Sequence, residues 1–488
     1  MKKLALYISA GLLVMVSGCN KFLAKEPDNR AKLTDPVKVS QLLTSAYPQG
    51  NYQQMLESRT DNVEDVSSGS DDKDVQDAYY WKDSKETQQD SPEWYWFACY
   101  NAIGVCNEAL DYISTVKDPE NYVGQKGEAL VARAYSHFML VSIFAKTYDA
   151  ATASSDPGIP YVLEPETVVI KQYERKTVQY VYDNIEKDLL AGMALLRDAN
   201  YDVPKFHFTR LAAYAFASRF YLFKKDYANV LKYCNLAYPA NSIGANLRGW
   251  NSEYANITDV TELFKIYASS TQAANILLTE TQSLWSRNYY GDRYCVGNAK
   301  MTELKPNNDK ITKGAFAYAT YGIYEQTHKL IPKIDEYFVR LSVNAEIGYP
   351  YVMVPLFSAE EVLFNRAEAN GYLGNTTDAL TDLNAFVSKR IRSYSTIAHS
   401  VTIAKINSAL GTNNDKDAII QAVLYYKRAE FVHEGLRWFD ILRYKIPVKH
   451  NFKKGATETF ETLSADDPRR TMQLPQITVA AGLEANPR

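Results

Sequence analysis

The sequence predicts a mostly α-helical protein in which paired helices form a scaffold around an irregular, loop-rich region with few short strands. Three observations predict this fold class. Apolar residues recur at helical spacing in several long segments, and a turn divides two of those segments into helical pairs. The stretch between the two pairs lacks this spacing and is richer in Gly, Asn, Tyr and Pro. The chain is 46% hydrophobic and 23% charged, a composition that can bury a sizeable core.

The first residues of the chain have the pattern of a lipoprotein signal peptide. Lys2 and Lys3 precede an apolar run over residues 4–16, which is shorter than the roughly 20 residues that a membrane-spanning helix needs. The small residues Ser and Gly stand directly before Cys19, as in a bacterial lipobox. We therefore expect cleavage before Cys19 and acylation of its thiol and new amino group, which ties the chain to a membrane. The alternative is an ordinary signal peptide with a cysteine nearby.

The remaining composition narrows the class of protein. A net charge of −3 and the lack of a basic patch in the sequence give no support for nucleic-acid binding. Cys99 and Cys106 lie in one predicted helix, about 10 Å apart, too far for a disulfide. No cysteine spacing resembles a zinc site, so we expect buried thiols. The acidic segment 61–77 is predicted to be a solvated loop, and a calcium site there is the alternative.

Helical hairpins are predicted to form the scaffold. The segment 209–238 has apolar residues at helical spacing on both sides of a turn near Lys225. A second pair occupies 358–390, where Ser358 starts a capping-box pattern and Gly374 marks the turn. In each pair a small residue precedes the turn by seven positions, which permits close helix packing, as in tetratricopeptide-like hairpins. Single helices are predicted over about 126–148 and 177–196, and a short buried strand is predicted within ANILLTETQSLW.

The segment KRAEFVHEGLRWFDILRYK, residues 427–445, is predicted to be a helix to Glu434, a break at Gly435 and a second short helix. Charged side chains surround Trp438 in this pattern. By itself the pattern indicates a capped helix corner with ion pairs over an aromatic ring. The predicted charge ladder consists of Glu430, Arg437, Asp440 and Arg443.

This segment closely resembles the C-terminal signature of the SusD/RagB family. Other segments resemble the family in the expected order along nearly the whole chain. CNKFLAKEPDNR is similar to the mature N terminus, and WYWFACYNAIGVCNEAL is similar to the family's Trp–Tyr–Ile–Asn helix. GEALVARAYSHFMLVSIFAKTYD resembles the central helix, and RAEANGYLGNTTDALTDLNAFVSKR resembles the Ala-Glu-Ala hairpin and the helix that ends in basic residues.

The resemblance implies a SusD-like fold on tetratricopeptide-like helical pairs, and a lipid anchor in the outer membrane with the body facing outward. It implies a partner, a TonB-dependent transporter of the SusC type, over which the protein acts as a hinged lid. The ligand in the family is usually a glycan, and some members serve peptide uptake. The predicted divisions are a signal peptide (1–18), a lipidated tether (19–35) and a single SusD-like domain (36–488), with its scaffold at about 94–240 and 358–445 and a variable loop-rich segment at about 241–357.

Two aromatic clusters are the predicted ligand-binding residues. A glycan offers C–H faces and hydroxyl edges, which aromatic rings flanked by polar side chains can bind. The resemblance implies a site drawn from a loop before the Trp–Tyr helix and a loop of the variable segment. The alternative for each ring is packing beneath a long loop, and Tyr318, Tyr321 and Tyr324 are spaced like a helix face. The predicted ligand-binding set is Tyr80, Trp81, Trp285, Arg287, Tyr289 and Tyr290.

Two other classes of protein compete with glycan binding. A surface glycosidase needs two carboxylates at a defined separation, and 57 acidic residues offer too many pairs to be informative. The sequence contains no G-x-S-x-G, H-E-x-x-H or phosphate-loop motif, so we expect no catalysis, no metal and no cofactor. The alternative of the same fold is a peptide-uptake or protein-interaction lipoprotein, because helical hairpins also bind peptides.

Overall fold

The computed structural model describes residues 33–168, 171–324 and 326–488 of the chain. The predicted signal peptide and Cys19 lie outside the described residues. Helices dominate the part that is described, and the strands are short, which confirms the predicted mostly α-helical class.

The helices of the described ranges are α1 (Pro36–Leu43), α2 (Gln53–Glu57), α3 (Lys73–Tyr79), α4 (Pro92–Thr115), α5 (Val123–Phe144), α6 (Val178–Leu195), α7 (Arg210–Lys224), α8 (Tyr227–Ala237), α9 (Val260–Tyr267), α10 (Trp285–Tyr290), α11 (Asn298–Leu304), α12 (Ala359–Leu373), α13 (Thr376–Ser388), α14 (Thr396–His399), α15 (Ile403–Leu410), α16 (Asp415–Glu430), α17 (Leu436–Arg443) and α18 (Gln476–Ala480). The strands are β1 (Glu64–Asp65), β2 (Asn275–Gln282), β3 (Tyr294–Cys295), β4 (Tyr321–Ile323), β5 (His328–Leu330), β6 (Glu336–Arg340), β7 (Gly348–Ser358), β8 (Val448–Lys454) and β9 (Thr457–Leu463).

The two predicted hairpins form at the predicted turns. α7 ends where Lys225 takes a left-handed backbone with φ = 60°, and the Asp226 side chain caps α8. α12 begins after Ser358, whose Oγ accepts a hydrogen bond from the backbone N–H of Glu361 at 3.3 Å, and it ends at Gly374 with φ = 80°. The single helices predicted over 126–148 and 177–196 are α5 and α6.

Glu361 does not complete the capping box as the sequence suggests. Its carboxylate instead accepts two hydrogen bonds from the Arg219 guanidinium of α7, at 2.5 and 2.6 Å. Ser218, the small residue of the first hairpin, accepts a hydrogen bond from the amide of Asn365 at 3.1 Å. The two hairpins are therefore joined through α7 and α12, and the buried arginine replaces the local cap partner.

Three sequence expectations about local structure are wrong. The last hairpin ends its first helix at Glu430 rather than Glu434, and a turn leads to Gly435 with φ = 74°. The expectation that the whole acidic segment 61–77 is a solvated loop is wrong: residues 67–71 are an exposed loop, but Asp65 and Asp74 are buried and α3 begins within the segment. Tyr321 lies in the strand β4 rather than on a helix face.

The variable segment contains a three-stranded antiparallel sheet in the order β2-β7-β6. The predicted strand in ANILLTETQSLW is β2, and its apolar residues are buried. In the register of the sheet Gln282 pairs with Tyr351, and Tyr351 pairs on its other side with Tyr337.

The four cysteines of the described residues are buried and free, as expected.

A buried network of charges joins this segment to the helical scaffold. Arg390, at the end of α13, donates to both oxygens of Glu430 on α16 at 2.7 and 2.9 Å, and to Glu360 on α12 at 3.0 Å. Glu360 also accepts from the side chain and the backbone N–H of Arg248 at 2.8 Å each. None of the four side chains is more than 1% exposed. Burial acts to raise the pKa of Glu430, but Arg390 outweighs it and the pKa lies below its ordinary value.

Polar side chains of the variable segment complete the network. Tyr318 donates its hydroxyl hydrogen to Glu430, and Lys333 donates to the carboxylate of Glu434 at 2.6 Å. Tyr267 donates to the same carboxylate at 2.6 Å, and Arg248 donates to the side-chain oxygen of Asn275 at the start of β2. Each of these buried charges has polar partners, and the contacts cross between the variable segment and the scaffold, which offsets the cost of removing the charges from water.

We expect Arg390→Met to lower the free energy of unfolding by about 3–5 kcal/mol, because it leaves Glu430 buried without its main partner. Urea unfolding measures this change. The control is Lys265→Ala, which breaks an exposed ion pair with Glu262 and is expected to change stability by less than about 0.5 kcal/mol. Equal effects of the two substitutions would contradict a stabilising role for the network.

Candidate functional site

The structure brings the two predicted ligand regions together on one surface. β1 pairs with β3, so that Asp65 lies opposite Tyr294. The backbone N–H of Ser70 donates to the carbonyl of Gly291 at 2.9 Å, and the N–H of Arg293 donates to the carbonyl of Ser70 at 2.9 Å. We call the surface built by residues 66–72, 287–294, 321–324 and 326–328 the loop platform.

Carboxylates hold the loops of the platform in place. Asp292 accepts hydrogen bonds from the backbone N–H groups of Asp72 at 2.9 Å and Tyr294 at 2.8 Å. The amide of Asn288 donates to Asp72 at 2.9 Å, and the Arg293 guanidinium makes a two-bond contact with Asp65 at 2.8 Å each. The acidic segment of the sequence therefore stabilises the loop geometry.

Burial raises the pKa of Asp292 to about 7, against two backbone hydrogen bonds that act to lower it. The charge of Asp72 nearby adds to the increase.

Among the described residues, no group of three or more His, Cys, Asp or Glu side chains is arranged to hold a metal ion. The carboxylates of the platform bind backbone and side-chain donors of the protein itself.

Four of the six predicted ligand-binding side chains lie in the core. Trp81 is 1% exposed; its ring stacks on His450 at 4.4 Å, and its indole N–H donates to the carbonyl of Arg59 at 3.1 Å. Trp285 is fully buried, with its ring 5.2 Å from that of Tyr289. The buried four are Trp81, Trp285, Tyr289 and Tyr290. Their rings pack within the core, which is the packing role weighed for each of them from the sequence.

The other two predicted side chains reach the surface. Arg287 is 61% exposed and forms an ion pair with Glu336 at the start of β6. Tyr80 is half-buried; its hydroxyl lies 3.3 Å from that of Tyr294, and the ammonium of Lys82 lies 4.7 Å above its ring. Tyr80 and Arg287 therefore keep polar groups in contact with solvent beside the platform.

Tyr324 is the exposed aromatic residue of the platform that the sequence analysis did not select. It is 60% exposed and lies in the turn between β4 and β5 with φ = 46°, a strained backbone for a residue with a side chain. Its ring packs edge-on to His328 at 5.0 Å. A Cβ at Gly291 would lie 2.9 Å from the ring, so only glycine permits this position of the ring. The polar residues that follow Tyr324 in the sequence are a signal from which this turn could have been predicted.

The chain belongs to the SusD/RagB family. Residues 21–222 match the family profile described as starch-binding associating with outer membrane, and residues 354–480 match the profile of the SusD family. The two profiles cover separate parts of the chain, and the second includes the hairpin of α12 and α13 as well as the C-terminal signature. No curated protein matches the chain.

Solved structures of the superfamily share the fold over nearly the whole chain. A SusD superfamily protein from Bacteroides thetaiotaomicron is 18% identical, with a TM-score of 0.67 over 93% of this chain and 100% of its own. One from Bacteroides vulgatus is 16% identical, with a TM-score of 0.66 over 93% and 99%. A SusD-like carbohydrate binding protein from Bacteroides vulgatus is 14% identical, with a TM-score of 0.62 over 92% and 97%. The expected SusD-like fold is confirmed.

No helix in the described ranges is long and apolar enough to cross a membrane.

We expect Trp81→Ala to lower the free energy of unfolding by about 3–5 kcal/mol, because it empties a packed site in the core and removes the stacking on His450. Urea unfolding of the variant gives the value. Tyr324→Ala removes an exposed ring and is expected to change stability by less than about 0.5 kcal/mol. A Trp81→Ala protein as stable as the wild type would show that the ring is not part of the core.

Proposed function

We propose that this protein is an outer-membrane surface lipoprotein that binds a glycan and delivers it to a TonB-dependent SusC-like transporter. The family profile that matches the first part of the chain is described by starch binding and association with the outer membrane, and one structural neighbour is named a carbohydrate binding protein. The signal peptide pattern ending before Cys19 supports the lipid anchor. We propose a binding role without catalysis, because no catalytic motif was found in the sequence.

The single observation that carries glycan binding is the exposed ring of Tyr324 on the loop platform. The ring packs against Gly291 and His328 and offers an exposed apolar face to the C–H groups of a sugar. The left-handed backbone at Tyr324 costs of order 1–3 kcal/mol. Because the side chain is mostly exposed, its burial offsets little of this cost, which favours a role in ligand binding.

Polar side chains in the two predicted regions are suited to the hydroxyl edges of a sugar. We assign Arg287 and Tyr80 to direct contacts with the ligand, and we assign the buried Trp81 and Trp285 to supporting the loops. The predicted set thus divides into two roles: the exposed side chains contact the glycan, and the buried aromatic rings stabilise the fold that carries them.

We expect Tyr324→Ala to weaken binding of a recognised glycan by roughly tenfold or more, because each aromatic contact with a ligand contributes of order 1 kcal/mol or more. Calorimetric titration of a soluble form that begins after Cys19, against a panel of oligosaccharides and short peptides, measures the change. The matched control is Tyr180→Ala, an exposed tyrosine on α6, which should bind like the wild type. Binding of peptides but not of glycans would assign the protein to the peptide-uptake alternative.

We expect Cys19→Ala to move the protein from the membrane fraction to the soluble fraction, because the residue that accepts the acyl chains is lost. Fractionation with detection of the protein measures the distribution, and Cys234→Ala is the control, since this thiol is buried in the fold. Copurification of a TonB-dependent transporter with the wild-type protein tests the partner. Unchanged membrane association of Cys19→Ala would refute the lipid anchor.

A further inference from the structure

A cleft of about 430 Å³ lies outside the loop platform, between the first half of α4 and the sheet of the variable segment. Its volume is in the range of roughly 300–1,000 Å³ that is usual for small-molecule sites. None of the described residues that line it is charged. Its aromatic and amide side chains include Gln49, Trp94, Phe97, Asn101, Gln282 and Tyr351.

One wall of the cleft is a single face of α4. Trp94, Phe97 and Asn101 follow one another at three and four positions, so they lie on the same side of the helix. Phe97 is 40% exposed, and Asn101 is exposed as well. The indole nitrogen of Trp94 is covered, so this residue offers its ring and not its N–H to the cleft. The helix thus presents two aromatic rings with an amide beside them.

The opposite wall is built by a pair of residues across two strands. Gln282 at the end of β2 lies directly opposite Tyr351 on β7, which puts both side chains on one face of the sheet. Tyr337 on β6 supports the ring of Tyr351 from the far side, with the ring centres 6.4 Å apart. A third amide, that of the exposed Gln49, comes from the segment between α1 and α2.

Hydrogen bonds beneath the cleft fix the three walls relative to one another. Ser283, next to Gln282, donates to Asp90 at 2.6 Å and accepts from the amide of Asn51 at 3.1 Å. The backbone N–H of Leu284 donates to the other oxygen of Asp90 at 2.7 Å. A Cβ at Gly50 would meet the Cβ of Ala98 at 2.9 Å, so the segment before α2 is in close contact with α4. The cleft is therefore formed before any ligand binds.

The neighbouring cleft on α4 shows what a different lining would mean. It has a volume of about 390 Å³, shares Phe97 and Asn101, and is lined on its far side by Glu164, Glu166 and Lys171. Such charges suit an ionic or peptide ligand. The uncharged cleft offers ring faces, small aliphatic side chains, hydroxyls and amides, which match the C–H faces and hydroxyl groups of a neutral sugar.

We propose that the uncharged cleft between α4 and the β2–β7 strands is a second binding site, specific for a neutral saccharide. The ligand class rests on the proposed function, whereas the position of the site does not. A glycan that extends from the loop platform, or a separate chain of the same polysaccharide, would fill it. Two sites on one protein would raise the overall affinity for a polymeric ligand through effective concentration.

The test uses the intact lipoprotein in a detergent that has no sugar headgroup. The probes are maltohexaose, cellohexaose, xylohexaose and mannohexaose, each titrated by calorimetry at up to millimolar concentration. The variants Gln49→Ala and Tyr351→Ala change only the uncharged cleft, and Gln49 is exposed, so its variant is expected to fold. Tyr173→Ala alters the charged cleft and Tyr324→Ala alters the platform, so these two are the matched controls.

We expect at least one probe to bind, with an affinity that falls roughly tenfold in Tyr351→Ala and measurably in Gln49→Ala, and that is retained in Tyr173→Ala. Retention of that binding in Tyr324→Ala would establish the cleft even if the platform does not bind sugar. Binding that is lost in Tyr324→Ala but unchanged in both cleft variants would overturn the second site and leave the proposed function intact. A failure of all four neutral probes to bind would also overturn it, and short peptides that bind in the cleft would do the same.

Discussion

The buried pairing of Arg390 with Glu430 and Glu360 is the interaction on which the rest of the structure depends. A buried charge without partners costs several kcal/mol, so the network is stable only when all its members are in place at once. Its carboxylates come from α12 and α16 of the scaffold, and Arg248 and Tyr318 come from the variable segment. The irregular part of the chain is thereby held to the helices by charges that tolerate little displacement.

This coupling explains how loops with little periodicity hold fixed positions. β2 starts at Asn275, which Arg248 holds from the network, and it ends at Gln282 beside the uncharged cleft. The next residues lead through Ser283 into α10, whose aromatic rings lie beneath the platform. A single strand and a short helix therefore transmit the geometry of the core to both candidate sites.

The sequence reveals local structure in this protein much better than it reveals burial. The turns at Lys225 and Gly374 were predictable, because left-handed positions and helix caps depend on neighbouring residues. The partner of Glu361 could not be predicted, because Arg219 lies 142 positions away and the capping-box pattern suggested a local partner instead. Long-range ion pairs depend on the packing of helices that a single sequence does not describe.

The candidate site shows the same division. Aromatic side chains serve both as core and as ligand contacts, so the composition of the two clusters could not separate the buried Trp81 from the exposed Arg287. Tyr324 was missed because a spacing of three residues suggested a helix, whereas its position follows from the pairing of β4 with β5 and from the missing side chain at Gly291.

The exposure of Tyr324 above a fully packed layer has a consequence for how such a protein can change over evolutionary time. Its ring contributes almost nothing to folding, while the rings beneath it contribute several kcal/mol each. Substitution of Tyr324 therefore changes the free energy of unfolding little, whereas substitution of the buried aromatic residues lowers it. Under the proposed function, a lineage with this arrangement can exchange the ligand-contacting residue in this turn while the scaffold that carries it stays intact.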